Sequence, residues 1–143
     1  MLKGIPALIS PELMKALMEM GHGDELVLAD GHFPAASNAR RLLRADGQGI
    51  PALLEAILGF FPLDDYVEAP AVLMEVVPGD PLRPSIWEEY RRIILKYEGG
   101  FKGFQWLERF AFYQRAREAY AILATGETAQ YANIILKKGL VRE

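Results

Sequence analysis

The chain has 143 residues, 51% of them apolar and 24% charged, which suits one domain around one core and excludes both disorder and a pair of domains. It contains no cysteine, so disulfides, thiolate metal sites and a thiol nucleophile are ruled out together. A formal charge of −3, a pI near 5.5 and basic residues scattered in short pairs such as Arg40-Arg41 and Lys137-Lys138 leave no footprint for a nucleic-acid backbone.

Ser10-Pro11-Glu12 opens the first predicted helix, with Ser10 as N-cap, Pro11 at the first helical position and an acid in the first turn. Leu13, Leu17 and Met20 line one face, and Gly21 is a natural stop. Residues 25–30 read as a buried strand, and 31–37 as a loop of small residues and turn formers. A short strand is expected over 41–44, before the turn at Ala45-Asp46-Gly47. Residues 51–61 form the second predicted helix, apolar on more than one side. Residues 71–77 form a central strand, closed by Pro78-Gly79-Asp80-Pro81. A third helix, 84–97, turns Ile86, Tyr90, Ile93 and Ile94 inward. A strand at 104–107, a helix at 109–118 and strands at 120–125 and 134–138 complete the chain.

Helices alternating with short apolar strands predict a layered α/β domain with a largely parallel sheet, whose ligands gather at the carboxyl ends of the strands. Neither Gly-x-Gly-x-x-Gly nor a phosphate-binding Gly-x-x-x-x-Gly-Lys-Ser/Thr occurs, which argues against a nucleotide cofactor. The longest apolar stretches, such as 50–61, are much shorter than a bilayer requires. The first residues lack a basic region followed by an apolar run, so a cytoplasmic protein is expected. A mean hydropathy of +0.06 is high for a small monomer, and burial of apolar surface between subunits would account for it.

Several polar residues invite a chemical reading beside a plain one. His22 lies between Gly21 and Gly23. Such an imidazole can be an exposed turn residue at a helix end, or a group that exchanges protons at neutral pH. Asp30, at the end of a strand, can cap the following loop or accept hydrogen bonds from a ligand. Asp64 would ordinarily be a turn acid, and Met74 a core residue. Arg109 and Tyr113 are four apart on a predicted helix and share a face, either as a surface stack or as a guanidinium and phenol offered to a ligand. Tyr131 and Asn133 alternate on what reads as the start of the last strand, so both are expected on one side. An amide beside a phenol suits recognition of a polyol.

Met20-Gly21-His22-Gly23-Asp24-Glu25, Asp30 and the Tyr131-Ala132-Asn133 segment resemble the sugar mutarotases, specifically the L-fucose mutarotase family and its sibling, the D-ribose pyranases. The run Arg109-Phe110-Ala111-Phe112-Tyr113 is similar to the fucose branch and is lacking in the ribose branch. Phe61-Pro62-Leu63-Asp64-Asp65-Tyr66 resembles the Leu-Pro-Leu-Asp-x-Tyr element that carries a catalytic acceptor carboxylate in animal fucose mutarotases, with Phe61 replacing the first Leu. The Asp-x-x-x-Pro frame from Asp30 to Pro34 also fits, although His32 is not needed by the ribose branch and is expected to play a supporting part.

The resemblance implies an α/β/α sandwich, assembled as a homo-oligomer, a decamer, with sites at subunit boundaries. It implies interconversion of the α and β anomers of L-fucose with no cofactor and no metal. His22 would donate to the ring oxygen, and Asp64 or Tyr113 would handle the anomeric proton. Asp30, Arg109, Tyr131 and Asn133 would hold hydroxyls, with Met74 as a wall near the sugar's methyl group. Two other functions compete: a D-ribose pyranase working through the same open-chain form, and a non-catalytic sugar-binding accessory of a transporter. The accessory would keep Asp30, Arg109 and Asn133 and need no acid/base pair.

Overall fold

The structure, a computed structural model, describes residues 1–143. Ser10 caps α1 (Pro11–Glu19) as its position predicts, its hydroxyl accepting from the Leu13 amide at 3.0 Å. The chain continues through β1 (Glu25–Ala29), α2 (Ala35–Asn38), β2 (Leu42–Ala45), α3 (Ile50–Leu58), β3 (Ala71–Met74) and α4 (Ile86–Tyr97). It ends with β4 (Gln105–Leu107), α5 (Arg109–Glu118), β5 (Ala121–Thr125) and β6 (Ile134–Lys137). The loop expected over 31–37 winds into the single turn of α2, and β3 stops at Met74, ahead of the Pro78-Gly79 turn. No helix is long and apolar enough to cross a membrane.

The six strands lie in the order β2-β5-β1-β6-β3-β4. β2, β5 and β1 run parallel, as do β3 and β4, while β6 is antiparallel to both its neighbours, β1 and β3. The link from β5 to β6 explains the exception. Residues 126–133 are too few for the crossover of about a dozen residues that a parallel return requires, so the chain turns over the end of β1 and comes straight back. That short link therefore sits on top of the carboxyl end of β1.

Strand alternation sorts the core into two halves. Leu26 and Leu28 of β1, Leu73 of β3, Leu123 of β5 and Ile134 and Leu136 of β6 face one layer, formed by α1, α3 and α4. Val27, Val72, Ile122 and Ile135 face the other, covered by Phe112 and Ala116 of α5 and by Ala35 of α2. The three layers expected are present, but the second helical layer is the thinner. Removing a fully buried side chain such as Leu28 or Ile57 would cost about 2–5 kcal/mol as the alanine variant. Close backbone approach demands glycine at two places. A Cβ on Gly126 would lie 2.0 Å from the Asp46 carbonyl oxygen, and one on Gly139 would lie 2.6 Å from that of Leu63.

Candidate active site

A cleft of about 410 Å³ opens at the carboxyl edge of the sheet, where Asp30, Met74, Arg109, Tyr113, Tyr131 and Asn133 meet. Asp30 is buried directly after β1. Its Oδ1 accepts from the His32 amide (3.0 Å) and the Phe33 amide (2.9 Å), while its own amide donates to Asn133 Oδ1 at 2.7 Å. Asp30 thus caps the following loop, as its plain reading has it, and the same residue lines the cleft. Burial pushes this carboxyl above its ordinary range, and the amides of His32 and Phe33 pull back against that shift. Asn133 is also buried, so Asp30 and Asn133 fix one another across the link from β5 to β6.

Arg109 and Tyr113 share a face of α5 as their spacing predicts. The guanidinium carbon stands 5.6 Å from the Tyr113 ring centre and 5.4 Å from that of Phe110. Phe33 packs edge-on against Tyr113 with ring centres 5.2 Å apart. Glu108 starts the helix, its carboxylate accepting from the amides of Phe110 and Ala111. Arg109 is therefore held at the first turn, half over an aromatic and half in water. Met74 is both a core residue and a wall of the cleft.

Tyr131 differs from expectation. It does not lie on a strand, and its φ of +57° places it in the left-handed region, uncommon for a non-glycine residue. The turn is over-determined by α4: Trp87 Nε1 donates to the Tyr131 carbonyl at 2.8 Å, and the buried Tyr90 hydroxyl donates to that of Ala132 at 2.7 Å. Burial drives the Tyr90 phenol strongly upward, so it stays protonated and remains a donor. The two residues reach the same cleft by a turn and not by strand alternation.

His22 and Asp64 are elsewhere. His22 Nε2 lies 3.1 Å from Asp64 Oδ1, and the ring packs at a 44° tilt against Tyr66, 5.1 Å between centres. Asp64 is buried, and the same oxygen accepts from the Tyr66 amide at 3.0 Å. Its seat is the outgoing end of β6, where the Asp64 amide donates to the Lys137 carbonyl and the Gly23 amide to that of Lys138. This is the amino edge of β1. From Glu25 to Asp30 the strand covers about 17 Å at roughly 3.3 Å per residue, so His22 does not reach the cleft of its own chain.

The structure thus gathers six of the eight expected residues into one cleft and the remaining two into a pair on the opposite edge. His32 lines the cleft as well. Sequence reasoning missed Asp80, which lines the cleft and meets the Tyr131 hydroxyl, and Trp87, which holds the turn. The Pro78-Gly79 turn signal pointed to Asp80 only as the end of a strand.

An L-fucose mutarotase of Actinobacillus pleuropneumoniae is 56% identical over 140 residues, covering 98% of this chain and 97% of that protein. The human fucose mutarotase is 54% identical over 146 residues, covering 98% of this chain and 94% of its own length. Among solved structures, the fucose mutarotase of Streptococcus pneumoniae in complex with L-fucose superposes with a TM-score of 0.94 at 55% identity, over 99% of this chain and all of that one (100%). The family described as the RbsD / FucU transport proteins matches residues 3–141, and with relatives this similar along its whole length the chain belongs to that family.

Proposed function

We propose that this protein is an L-fucose mutarotase, a cofactor-free isomerase that equilibrates the α and β anomers of L-fucopyranose. The observation that carries the reading is the cleft: a carboxylate, an amide, a guanidinium and two phenols converge beside the thioether of Met74. That set supplies donors and acceptors for a ring of hydroxyls and one apolar wall for a methyl group. The names of the relatives in two bacterial species and in human support the choice of sugar.

The reaction needs one proton delivered and one removed. An acid protonates the ring oxygen as a base takes the proton of the anomeric hydroxyl. The bond from the anomeric carbon to the ring oxygen breaks and a carbonyl forms. Rotation about the adjacent carbon–carbon bond and reclosure on the other carbonyl face give the opposite anomer, with no net proton change. His22 is the acid in this reading, and Asp64 or Tyr113 receives the anomeric proton. Asp30, Arg109, Tyr131 and Asn133 hold the hydroxyls. Such positioned acid/base groups contribute about 10²–10⁴-fold.

The separation of His22 from the cleft has a direct implication. If both serve one sugar, they come from two copies of the chain, with the amino edge of one copy set against the carboxyl edge of the next. Head-to-tail contacts of this kind close into rings where the rotation between copies divides a full turn. We therefore infer a homo-oligomer with sites at subunit boundaries, a decamer of stacked rings, in the cytoplasm. Exposed Met1, Leu2 and Met18 are apolar surface that assembly would bury.

Saturation-transfer NMR on equilibrated L-fucose, run beside a ligand titration, tests the function. Exchange between anomers catalysed at micromolar protein supports the mutarotase. Binding without exchange would leave the non-catalytic accessory. Conversion of ribopyranose to ribofuranose faster than fucose exchange would make it a ribose pyranase.

A further inference from the structure

Tyr131 has its backbone fixed by α4, but its hydroxyl is fixed by a different element, the loop after β3. The Val77 amide donates to Tyr131 Oη at 3.3 Å, and Oη donates to Asp80 Oδ2 at 2.9 Å. Asp80 is itself held. Its other oxygen accepts from the Leu82 amide at 2.9 Å, and its amide donates to the Val77 carbonyl at 3.0 Å. That last bond closes a type II turn across Pro78 and Gly79, with Gly79 at a φ of +92°. Pro-Gly is the pair that such a turn prefers, so the local sequence dictates where the Asp80 carboxylate stands.

A phenol has one proton to give and two lone pairs to receive. Here the proton goes to Asp80 and one lone pair to the Val77 amide. A single lone pair is left, and it is the only function Tyr131 can turn toward a ligand in the cleft. We propose that Asp80 is a positioning residue that makes Tyr131 an obligate hydrogen-bond acceptor, so that the cleft selects a sugar hydroxyl that donates at that point. The proposal rests on the mutarotase reading for the identity of the ligand, but the polarity of Tyr131 is a property of the chain alone. A charged acceptor also polarises the phenol and strengthens its remaining lone pair.

Asp80→Asn is the informative change, because it keeps the shape and reverses the bond. The asparagine carbonyl still accepts from Leu82, while its NH₂ donates to Oη and forces the phenol proton into the cleft. With L-fucose, we expect the KM of anomer exchange to rise about five- to tenfold, the loss of one hydrogen bond, with little change in kcat. Asp80→Glu should recover part of the loss. In a Tyr131→Phe background Asp80→Asn should add nothing, since Asp80 acts through that hydroxyl.

A second measurement needs no sugar. 3-Fluorotyrosine placed at all six tyrosines, with Tyr131 identified through Tyr131→Phe, reports its ionisation by ¹⁹F NMR. The charged and titratable groups sharing the cleft with Tyr131 are Asp30, His32, Asp80, Arg109 and Tyr113; burial raises the Tyr131 phenol most, the bond to Asp80 raises it further, and Arg109 opposes both. Asp80→Asn should lower the Tyr131 midpoint. An unmoved midpoint overturns the proposal, as do additive losses in the double variant. A fallen midpoint in a protein that leaves fucose untouched would retain the arrangement and reject the fucose reading.

Discussion

The two polar regions of this molecule are built on opposite plans. At the carboxyl edge, Asp30, Asn133 and Tyr131 are locked by buried hydrogen bonds and a left-handed turn. At the amino edge, the His22 side chain stays 39% exposed and is held by one bond to a buried carboxylate. A group that recognises a ligand benefits from being rigid before the ligand arrives. A group that serves a cleft in another copy must stand clear of its own chain. The contrast is what the proposed shared site requires, one region finished within a chain and the other left open to a neighbour.

The largest effect expected tests that division. His22→Ala should remove most of the catalysed exchange, about 10²–10⁴-fold, at a stability cost of about 0.5–1.5 kcal/mol for the lost bond to buried Asp64, whose Oδ1 keeps the Tyr66 amide. Mixing it with Arg109→Ala subunits, after dissociation and reassembly, should restore about a quarter of the sites if each draws on two copies. Mixtures that stay inactive would place both groups in a single-chain site. Light scattering belongs to the same test: a particle of 16.0 kDa would end the shared-site reading.

Arg109→Ala comes next. Losing a charged hydrogen bond costs about 1.5–3 kcal/mol, and the fall should be much larger for fucose than for ribose if this residue belongs to the fucose-specific half. Equal losses on both sugars would reduce Arg109 to a support of the fold. Asn133→Ala probes rigidity instead of recognition. It leaves the buried Asp30 amide without its acceptor, and urea unfolding should show a loss of about 1–3 kcal/mol. A neutral result would mean that the cleft is not locked as described.

Asp30 carries the smallest effect. Its carboxyl sits above the ordinary range in the folded chain because of burial, so the folded state keeps this proton to higher pH than the unfolded state does. Stability therefore falls as pH rises from the ordinary carboxylate range through the raised value, and levels off above it. Asp30→Asn can still accept from His32 and Phe33, and it should be at least as stable as the parent at neutral pH, with the difference shrinking on acidification. Activity should fall in the same variant. A variant less stable at pH 7 than at pH 4, relative to the parent, would reverse the assigned sign.

Much of the fold was legible because local chemistry decided it. Ser10, Pro11 and the alternating apolar runs marked α1 and the strands, and helix 109–118 was placed to the residue. The cleft residues were legible as kinds of chemistry but not as one place, since the approach of Asp30 to Asn133 spans 103 residues. No spacing rule could pair His22 with Asp64, because that contact depends on where β6 leaves the sheet. Tyr131 was misplaced because Tyr-Ala-Asn before an apolar run reads as strand, while its left-handed backbone is imposed from outside by Trp87. Asp80 was passed over because a Pro-Gly turn explains an aspartate without asking what its second oxygen does.

β6 joins the two halves in a way their separation conceals. Its entry carries Asn133 and its exit seats Asp64 and the turn that bears His22, with buried Ile134, Ile135 and Leu136 between. The strand is clamped on both sides by β1 and β3, so it acts as a short tie rod through the centre of the molecule. Any sliding of that rod would move the cleft and the His22–Asp64 pair together, which leaves neither end free to drift alone.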